Sequence, residues 1–393
     1  MSVNTMNFEQ AATVLASLAS QATGVATLTP TSLANYISVG TSTLRGGIDP
    51  ISVGVSQMVG KTIFARRPYK SGLNILRRDS EEYGAITRKV NAIFMTYQDS
   101  KVYNLADGAF TPDMFEVRKP KLWQSNFYGF DVWSDSVSVT RQQLKSAVLD
   151  PAEMGRLMDL VLGTKADEME LGRETFERAT LANLIASLNA IGNAYQKRHL
   201  LTEYNTATGQ ELTRAQVEHP DYYTDFIKWA YAQIAQCSDN LTEYSSVFHF
   251  NPSAGTIMRH TPKADQRIFV YNKNLHDIGA RVLADTFNSS MVSGEVPYTA
   301  SLNFFQSIKT PDSVSVTPAY IGADGAVATA TAQVVNDIFA VVCDRDAAGT
   351  NYHDQSVDVT PLEARGKYYN YWYHEARRYW NDVTENAVLF LLD

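Results

Sequence analysis

Charge is the first thing this chain has little of. Only 19% of its 393 residues are Asp, Glu, Lys or Arg, against the roughly 25% usual in soluble domains. Basic residues are the scarcer sign, 34 against 42 acidic, for a net −8. That balance disfavours sequence-independent nucleic-acid binding as the main task, because such binding uses Lys and Arg to displace counterions. Two cysteines, Cys237 and Cys343, cannot build a disulfide framework or a structural zinc site. Long apolar runs are missing as well. The longest, Ile338–Cys343 and Ala387–Leu392, fall far short of the roughly 20 residues that cross a bilayer. The first basic residue is Arg45, so the start lacks the charged segment of a secretory signal. The expectation is a soluble, reduced, cytoplasmic-type protein without a membrane partner.

What is present is apolar and aromatic. Hydrophobic residues make up 45% of the chain and aromatics 11%, with 21 Tyr. The length suits two to four lobes. Low charge combined with abundant Tyr predicts a surface that meets other proteins, where Tyr is enriched.

Residues 1–60 hold only three charged residues, Glu9, Arg45 and Asp49, where the chain average would give about eleven. Phe8, Ala11, Leu15 and Leu18 repeat at helical spacing. The remainder looks extended, so the segment reads as an arm lying on something else, with a disordered tail as the alternative. Residues 61–101 reverse the sign. They carry nine basic residues against four acidic, a net +5, and leave −13 on the rest. Ile86–Tyr97 reads as one strand of about 40 Å, with Phe115–Trp123 and Phe127–Val139 as return strands of a protruding hairpin. Asp150-Pro151 combines an N-cap residue with a proline suited to a first helical turn. Apolar residues from Met154 to Leu188 then keep near-helical spacing, which predicts one helix of about 60 Å over 151–190. Glu170/Arg173 and Glu174/Arg178 read as surface pairs on it. A polar stretch (193–220), a helix over Tyr222–Cys237, strands at Ser246–Phe250 and Arg267–Tyr271, a helix over Leu275–Phe287 and a strand at Ser301–Ile308 follow. Residues 310–332 read as a loop or weak hairpin. Val334–Cys343, Gly366–Trp380 and Asn386–Leu392 close the chain as strands.

No motif for chemistry is complete. Gly60-Lys61-Thr62 resembles the end of a phosphate loop, but the required glycine at 55 is Val55. His374-Glu375 begins a zinc-helix pattern whose second histidine is replaced by Arg378. Asp344, Asp346 and Gly349 suggest a calcium loop, yet Gln355 stands where the bidentate Glu belongs; a turn explains them better. The seven His are dispersed. Tyr368–Trp380 packs seven aromatics into thirteen residues. A stacking platform for single-stranded nucleic acid needs one exposed aromatic face, whereas these fall on both faces, which favours a strand buried in a core or interface.

Together the pieces resemble the Hong Kong 97 (HK-97-like) fold of tailed-phage major capsid proteins. The final segment, Arg365-Gly366-x-Tyr368-x-Asn370-Tyr371-x-Tyr373-His374 followed by Asn386-Ala387-Val388-x-Phe390, is similar to the closing strands of the phi 29-like short-tailed phages. Ser246–Phe250 and Arg281–Asn288 look like that family's axial-domain strand and helix. The resemblance implies an α+β capsid fold with an N-terminal arm (1–60), an extended loop (61–130), a peripheral domain (131–240) with a spine helix over 151–190, an axial domain (241–344) and peripheral return strands (345–393). It implies hexamers and pentamers of an icosahedral or prolate shell in the virion, formed in the host cytoplasm. The partners would be further copies of itself, a scaffolding protein, a portal protein and packaged double-stranded DNA held without sequence specificity. No catalytic, cofactor-binding or metal residue and no cofactor is expected. Some phi 29-like proteins continue into an immunoglobulin-like domain, which is not expected after Asp393. A Lys–Asn cross-link is not assigned. The alternatives are an encapsulin-like nanocompartment shell and an unrecognised soluble enzyme.

Overall fold

The computed structural model describes residues 7–24, 29–45, 71–78, 86–95, 119–128, 131–158, 165–278 and 299–393, with single positions at 27, 51, 115 and 117. Two helices open the chain, α1 (Phe8–Thr23) and α2 (Leu33–Arg45), followed by a hairpin of β1 (Ile86–Ala92) and β2 (Leu122–Tyr128). Next come β3 (Asp131–Thr140), α3 (Arg141–Leu149), α4 (Pro151–Met158) and α5 (Lys165–Ile191). The central part holds β4 (Lys197–His199), α6 (Leu200–Thr208), α7 (Arg214–Val217), α8 (Pro220–Asn240), β5 (Gln266–Tyr271) and α9 (Asn272–Ile278). Then follow β6 (Thr299–Leu302), β7 (Val314–Val316), β8 (Ala319–Ile321), β9 (Val327–Thr329) and β10 (Gln333–Val335). The last strands are β11 (Ile338–Asp344), β12 (Ala348–Val359), β13 (Tyr368–Asn381) and β14 (Ala387–Leu391).

Two sheets organise the core. The larger has the order β4-β14-β11-β5-β6, with parallel pairs at its two edges and antiparallel pairs between. Helix α5 covers one face, setting Leu181, Leu184, Ile185 and Leu188 against Phe269, Val341, Cys343 and Leu389. Helices α6 and α8 cover the other, setting Leu200, Phe226, Ile227 and Ile234 against Ile268, Val270, Val342, Val388 and Phe390. A strand buried on both faces has no polar side to show, so it reads as a continuous apolar run. That is why the two longest apolar runs of the sequence are β11 and β14. Both cysteines are buried and free in this region.

The second sheet, β12-β13-β3, is antiparallel. Tyr369, Tyr371 and Tyr373 on β13 face a cluster built from α1, α2, α3 and α4, including Leu15, Leu18, Tyr36, Leu144, Val148 and Met158. Trp372 points the other way and is 37% exposed, its ring stacked near-parallel on His374. Over residues 368–374 the aromatic strand therefore divides by parity with a buried tyrosine face, whereas Tyr379 farther along is exposed.

The N-terminal segment departs from the expected arm. Helix α1 has a capping box between Asn7 and Gln10 and ends at Gly24 in the left-handed region. Ala11, Ala12, Ala16 and Ala19 let it sit close against its own chain. Helix α2 packs there too, donating from the Tyr36 hydroxyl to the Ala147 carbonyl at 3.2 Å. In α1 the low charge goes with a buried small-residue face packed within the subunit. Gly40 marks the tightest point, since a Cβ there would lie 2.2 Å from the Val148 carbonyl oxygen. Gly40→Ala should therefore cost about 1–3 kcal/mol through overpacking, read as a lowered urea midpoint of the subunit.

Other expectations shift. The spine helix runs over Lys165–Ile191, 27 residues or about 40 Å. Pro151–Met158 is also helical, and residues 159–164 between the two stretches lie outside the described ones. Strand Ile86–Tyr97 is described only as Ile86–Ala92 with three following residues. Its partner is Leu122–Tyr128, whereas Asp131–Thr140 pairs with β13, so Phe127–Val139 is not a return strand of the hairpin. Ser246–Phe250 forms no strand; Ser245 makes only an isolated bridge to Arg259. Val334–Cys343 is split at Asp337, whose φ of 60° interrupts the extended backbone. Ala348–Val359, unread in the sequence, is a 12-residue strand, and Arg345–Ala347 make the turn inferred from the acidic cluster. Strand β14 joins the larger sheet rather than β13, so the last strand belongs with residues 266–271 and 338–344. The polar stretch 193–220 contains α6 and α7. Residues 281–288 lie outside the described ones.

Candidate assembly surface

The β1–β2 hairpin has two unlike faces, because alternate residues of a strand point to opposite sides. Its inner face is seated on the chain's own body. Ile93 lies over Gly255 and Trp123 over Gly325; a Cβ at either glycine would come within 2.6 Å and 3.1 Å of those side chains. Lys89 pairs with both Asp382 and Glu385, carboxylates almost wholly buried in the turn before β14. Arg259 reaches Glu385 at 3.3 Å and donates to the Asn91 side chain at 2.5 Å. Burial raises the Glu385 carboxyl, while Lys89 and Arg259 pull it back. The backbone joins in through a bond from the Phe94 amide to the Thr256 carbonyl, 2.9 Å.

Among the described residues the outer face has no such anchors. Val90, Leu122 and Phe94 are 54%, 63% and 53% exposed, with Arg88, Ala92, Gln124 and Asn126 beside them, all exposed. Large apolar side chains on a rigidly seated hairpin are a surface awaiting a protein partner.

A second cluster fixes the segment before the hairpin. Arg77 places its guanidinium on Glu170 (2.8 and 3.1 Å) and Glu177 (2.5 Å), both on the spine helix α5. Ser71 donates from its amide to Glu170 and from its hydroxyl to Glu177, each at 3.0 Å. The Tyr352 hydroxyl donates to Glu177 at 3.2 Å. Glu177 is fully buried; burial pushes its carboxyl up, and the Arg77, Ser71 and Tyr352 donors work against that. Burial also disfavours ionised Glu170, but there the Arg77 and Ser71 hydrogen bonds win and hold it below the usual range.

Arg77 and Arg78 of the basic segment are engaged within their own chain, Arg78 near Asp346 at 3.4 Å; Arg66 and Arg67 lie outside the described residues. The two pairs expected on α5 form, Arg178 with Glu174 and Arg173 with Glu170 at 3.8 Å, but Glu174 is buried and Arg173 also reaches the buried Glu375, so they are not solvated surface pairs. The sequence signal for this burial is that charged and apolar residues occur on every side of the helix instead of on opposite faces.

The incomplete motifs are also placed. Gly60-Lys61-Thr62 lies outside the described residues. His374-Glu375 sits on a strand, with Glu375 bound to Arg173 and Arg377. The Asp344 carboxyl is hydrogen-bonded to the Thr261 hydroxyl and accepts from the Asp346 amide. Among the described residues no three His, Cys, Asp or Glu are grouped to hold a metal ion, and no helix is long and apolar enough to cross a membrane.

Comparison with known proteins follows the same line. The family model described as Phi29-like phage major capsid protein matches residues 16–391. No curated protein sequence matches significantly. Among solved structures, a chain from the head fiber and inner core protein gp22 structure of native bacteriophage P68 superposes with a TM-score of 0.57 at 11% identity, covering 85% of this chain and 87% of that one. A chain from the capsid structure of Staphylococcus phage Andhra gives 0.56 at 10% identity, with coverages of 85% and 87%. At such identities the likeness establishes the fold, that of HK-97-type capsid proteins.

Proposed function

The chain belongs to the Phi29-like phage major capsid protein family, and from that premise we infer that it tiles a tailed-phage head as hexamers and pentamers, with the outer face of the β1–β2 hairpin packed on an adjacent copy. As a member of a capsid family it is a structural protein that self-associates in the virion. We further assign it no catalytic role, assembly in the host cytoplasm with a scaffolding and a portal protein, and packaged double-stranded DNA as a partner contacted without sequence specificity. Residues 61–130 serve as the extended loop. The sheet β12-β13-β3 with its helices is the peripheral domain, and the larger sheet with α6 and α8 is the axial domain. Residues 1–60 keep the name of arm, with α1 and α2 folded back on the peripheral sheet.

The observation that carries the interface is the contrast between the hairpin's faces. Buried charges hold the inner face in one pose, so the outer apolar row meets a partner without first having to be ordered, which lowers the cost of association. Val90→Asp with Leu122→Asp tests it, because both side chains are exposed in the subunit and the change should leave stability within about 0.5 kcal/mol. Co-expressed with the scaffolding protein and viewed by electron microscopy, wild-type protein should give closed shells. The double variant should give folded subunits and no shells. Normal shells from the double variant would remove this face from the interface.

A further inference from the structure

His249 lies in the segment 245–261 on which the hairpin is seated, and both ring nitrogens have partners. Nε2 is 2.9 Å from the Ile257 carbonyl oxygen and Nδ1 is 3.0 Å from the Asn386 side-chain amide. The other end of that amide is 3.2 Å from the Thr261 hydroxyl, which lies 2.7 Å from Oδ2 of Asp344. Oδ1 of Asp344 accepts from the Asp346 amide at 2.8 Å. All four side chains are buried, so no solvent repairs a mismatched link.

The donors and acceptors of this chain can be counted. A carbonyl only accepts, so Nε2 carries a hydrogen. In one arrangement the Asn386 oxygen faces His249. Nδ1 is then protonated too, the amide NH2 donates to Thr261, and Thr261 donates to an ionised Asp344. In the other the amide is turned over. Its NH2 donates to a neutral His249, Thr261 donates to the amide oxygen, and a protonated Asp344 donates to Thr261. Each arrangement satisfies every link, and each holds one proton between His249 and Asp344. With no proton, two acceptors confront each other; with two, two donors do.

We propose that His249, Asn386, Thr261 and Asp344 form a one-proton chain that ties the hairpin's seat to β11 and β14 and loosens it when that proton is lost or doubled. The charged groups around it are Arg259 on the seat, Lys89 on the hairpin, Glu385 before β14, and Asp265, Arg345 and Asp346 at the adjoining turns. Burial pushes His249 down and Asp344 up, which agrees with the arrangement that is neutral throughout. The sign follows from the undocked state, where a free carboxyl and imidazole hold one proton between about pH 4 and pH 6.5. The docked pair keeps its proton above that window, so its contribution is lost as pH rises through the pair's own titration. It refuses a second proton below the window, so the contribution also falls in acid.

Hydrogen exchange on the full-length subunit tests this at the amides of Phe94, Ser245 and Arg259, whose partners lie in or on the seat. Protection at these amides should fall about ten- to a hundredfold between about pH 5.5 and about pH 8, after correction for intrinsic rates. Amides of β13 around Tyr371 should keep theirs. In Asp344→Asn a side-chain NH2 donates to Thr261 at every pH, and the difference should vanish. Equal wild-type protection at both pH values overturns the proposal, whether or not the variant folds, and so does a pH difference that survives in Asp344→Asn.

Discussion

Arg77→Ala should destabilise the subunit by about 3–5 kcal/mol, the cost of leaving a buried ionic partner uncompensated. The reason is Glu177, which is fully buried and relies on the Arg77 guanidinium together with Ser71 and Tyr352. Removing the arginine leaves a carboxylate that must stay charged without a counterion or take up a proton in the interior. Arg77→Lys should recover part of the loss, because one ammonium cannot span both Glu170 and Glu177 as a planar fork does. Urea unfolding of the unassembled subunit measures both. A loss below about 1 kcal/mol for the alanine variant would place the pair among solvated surface bridges. Acid should weaken the Glu170 arm of this clamp, whereas the raised Glu177 carboxyl pulls the other way. The Glu170 carboxyl is held low by Arg77 and Ser71, so its contribution is complete above the ordinary carboxylate range and disappears as pH falls through its lowered value.

Tyr371→Ala should cost a comparable 3–5 kcal/mol, since it empties a large, fully buried position between β13 and the N-terminal helices. Its hydroxyl, however, is buried and has no hydrogen-bond partner among the described residues. Tyr371→Phe should therefore be neutral or stabilising, because it removes a polar atom that gains nothing from burial. Trp372→Ala, one residue along, should cost much less, as that side chain is over a third exposed. If the alanine changes at 371 and 372 had equal effects, the assignment of buried and open faces on this strand would be wrong.

The strand pattern was legible where tertiary context agreed with local pattern. The apolar runs at β11 and β14 announced strands covered on both faces, and Asp344–Gly349 announced a turn. Phe8, Ala11, Leu15 and Leu18 marked α1. Legibility failed where distant residues decide. Nothing near Glu177 in sequence reveals that Arg77, a hundred positions earlier, neutralises it, so the spine helix read as a solvated ladder of ion pairs. Low charge at the start of the chain went with burial in α1, but nothing local shows that α1 packs on α4 and the Tyr371 strand of its own chain. The tyrosines and tryptophans of 368–380 show no imbalance between alternate positions, so only the packing of α1–α4 tells which parity is inside. The hairpin proposed as assembly surface was visible as a basic, extended region, while the feature that distinguishes its faces, apolar outside and ionic inside, depends on Asp382, Glu385 and Arg259 far along the chain.

The central claim is that the hairpin's outer face is covered by another copy in the shell while its inner face is already covered in the subunit. Hydroxyl-radical footprinting of unassembled subunits and of assembled shells compares the two faces in one experiment. Phe94 and Leu122 should be labelled readily in subunits and strongly protected in shells, with Trp123 and Ile93 changing little. Equal labelling of Phe94 and Leu122 in both states would contradict the account.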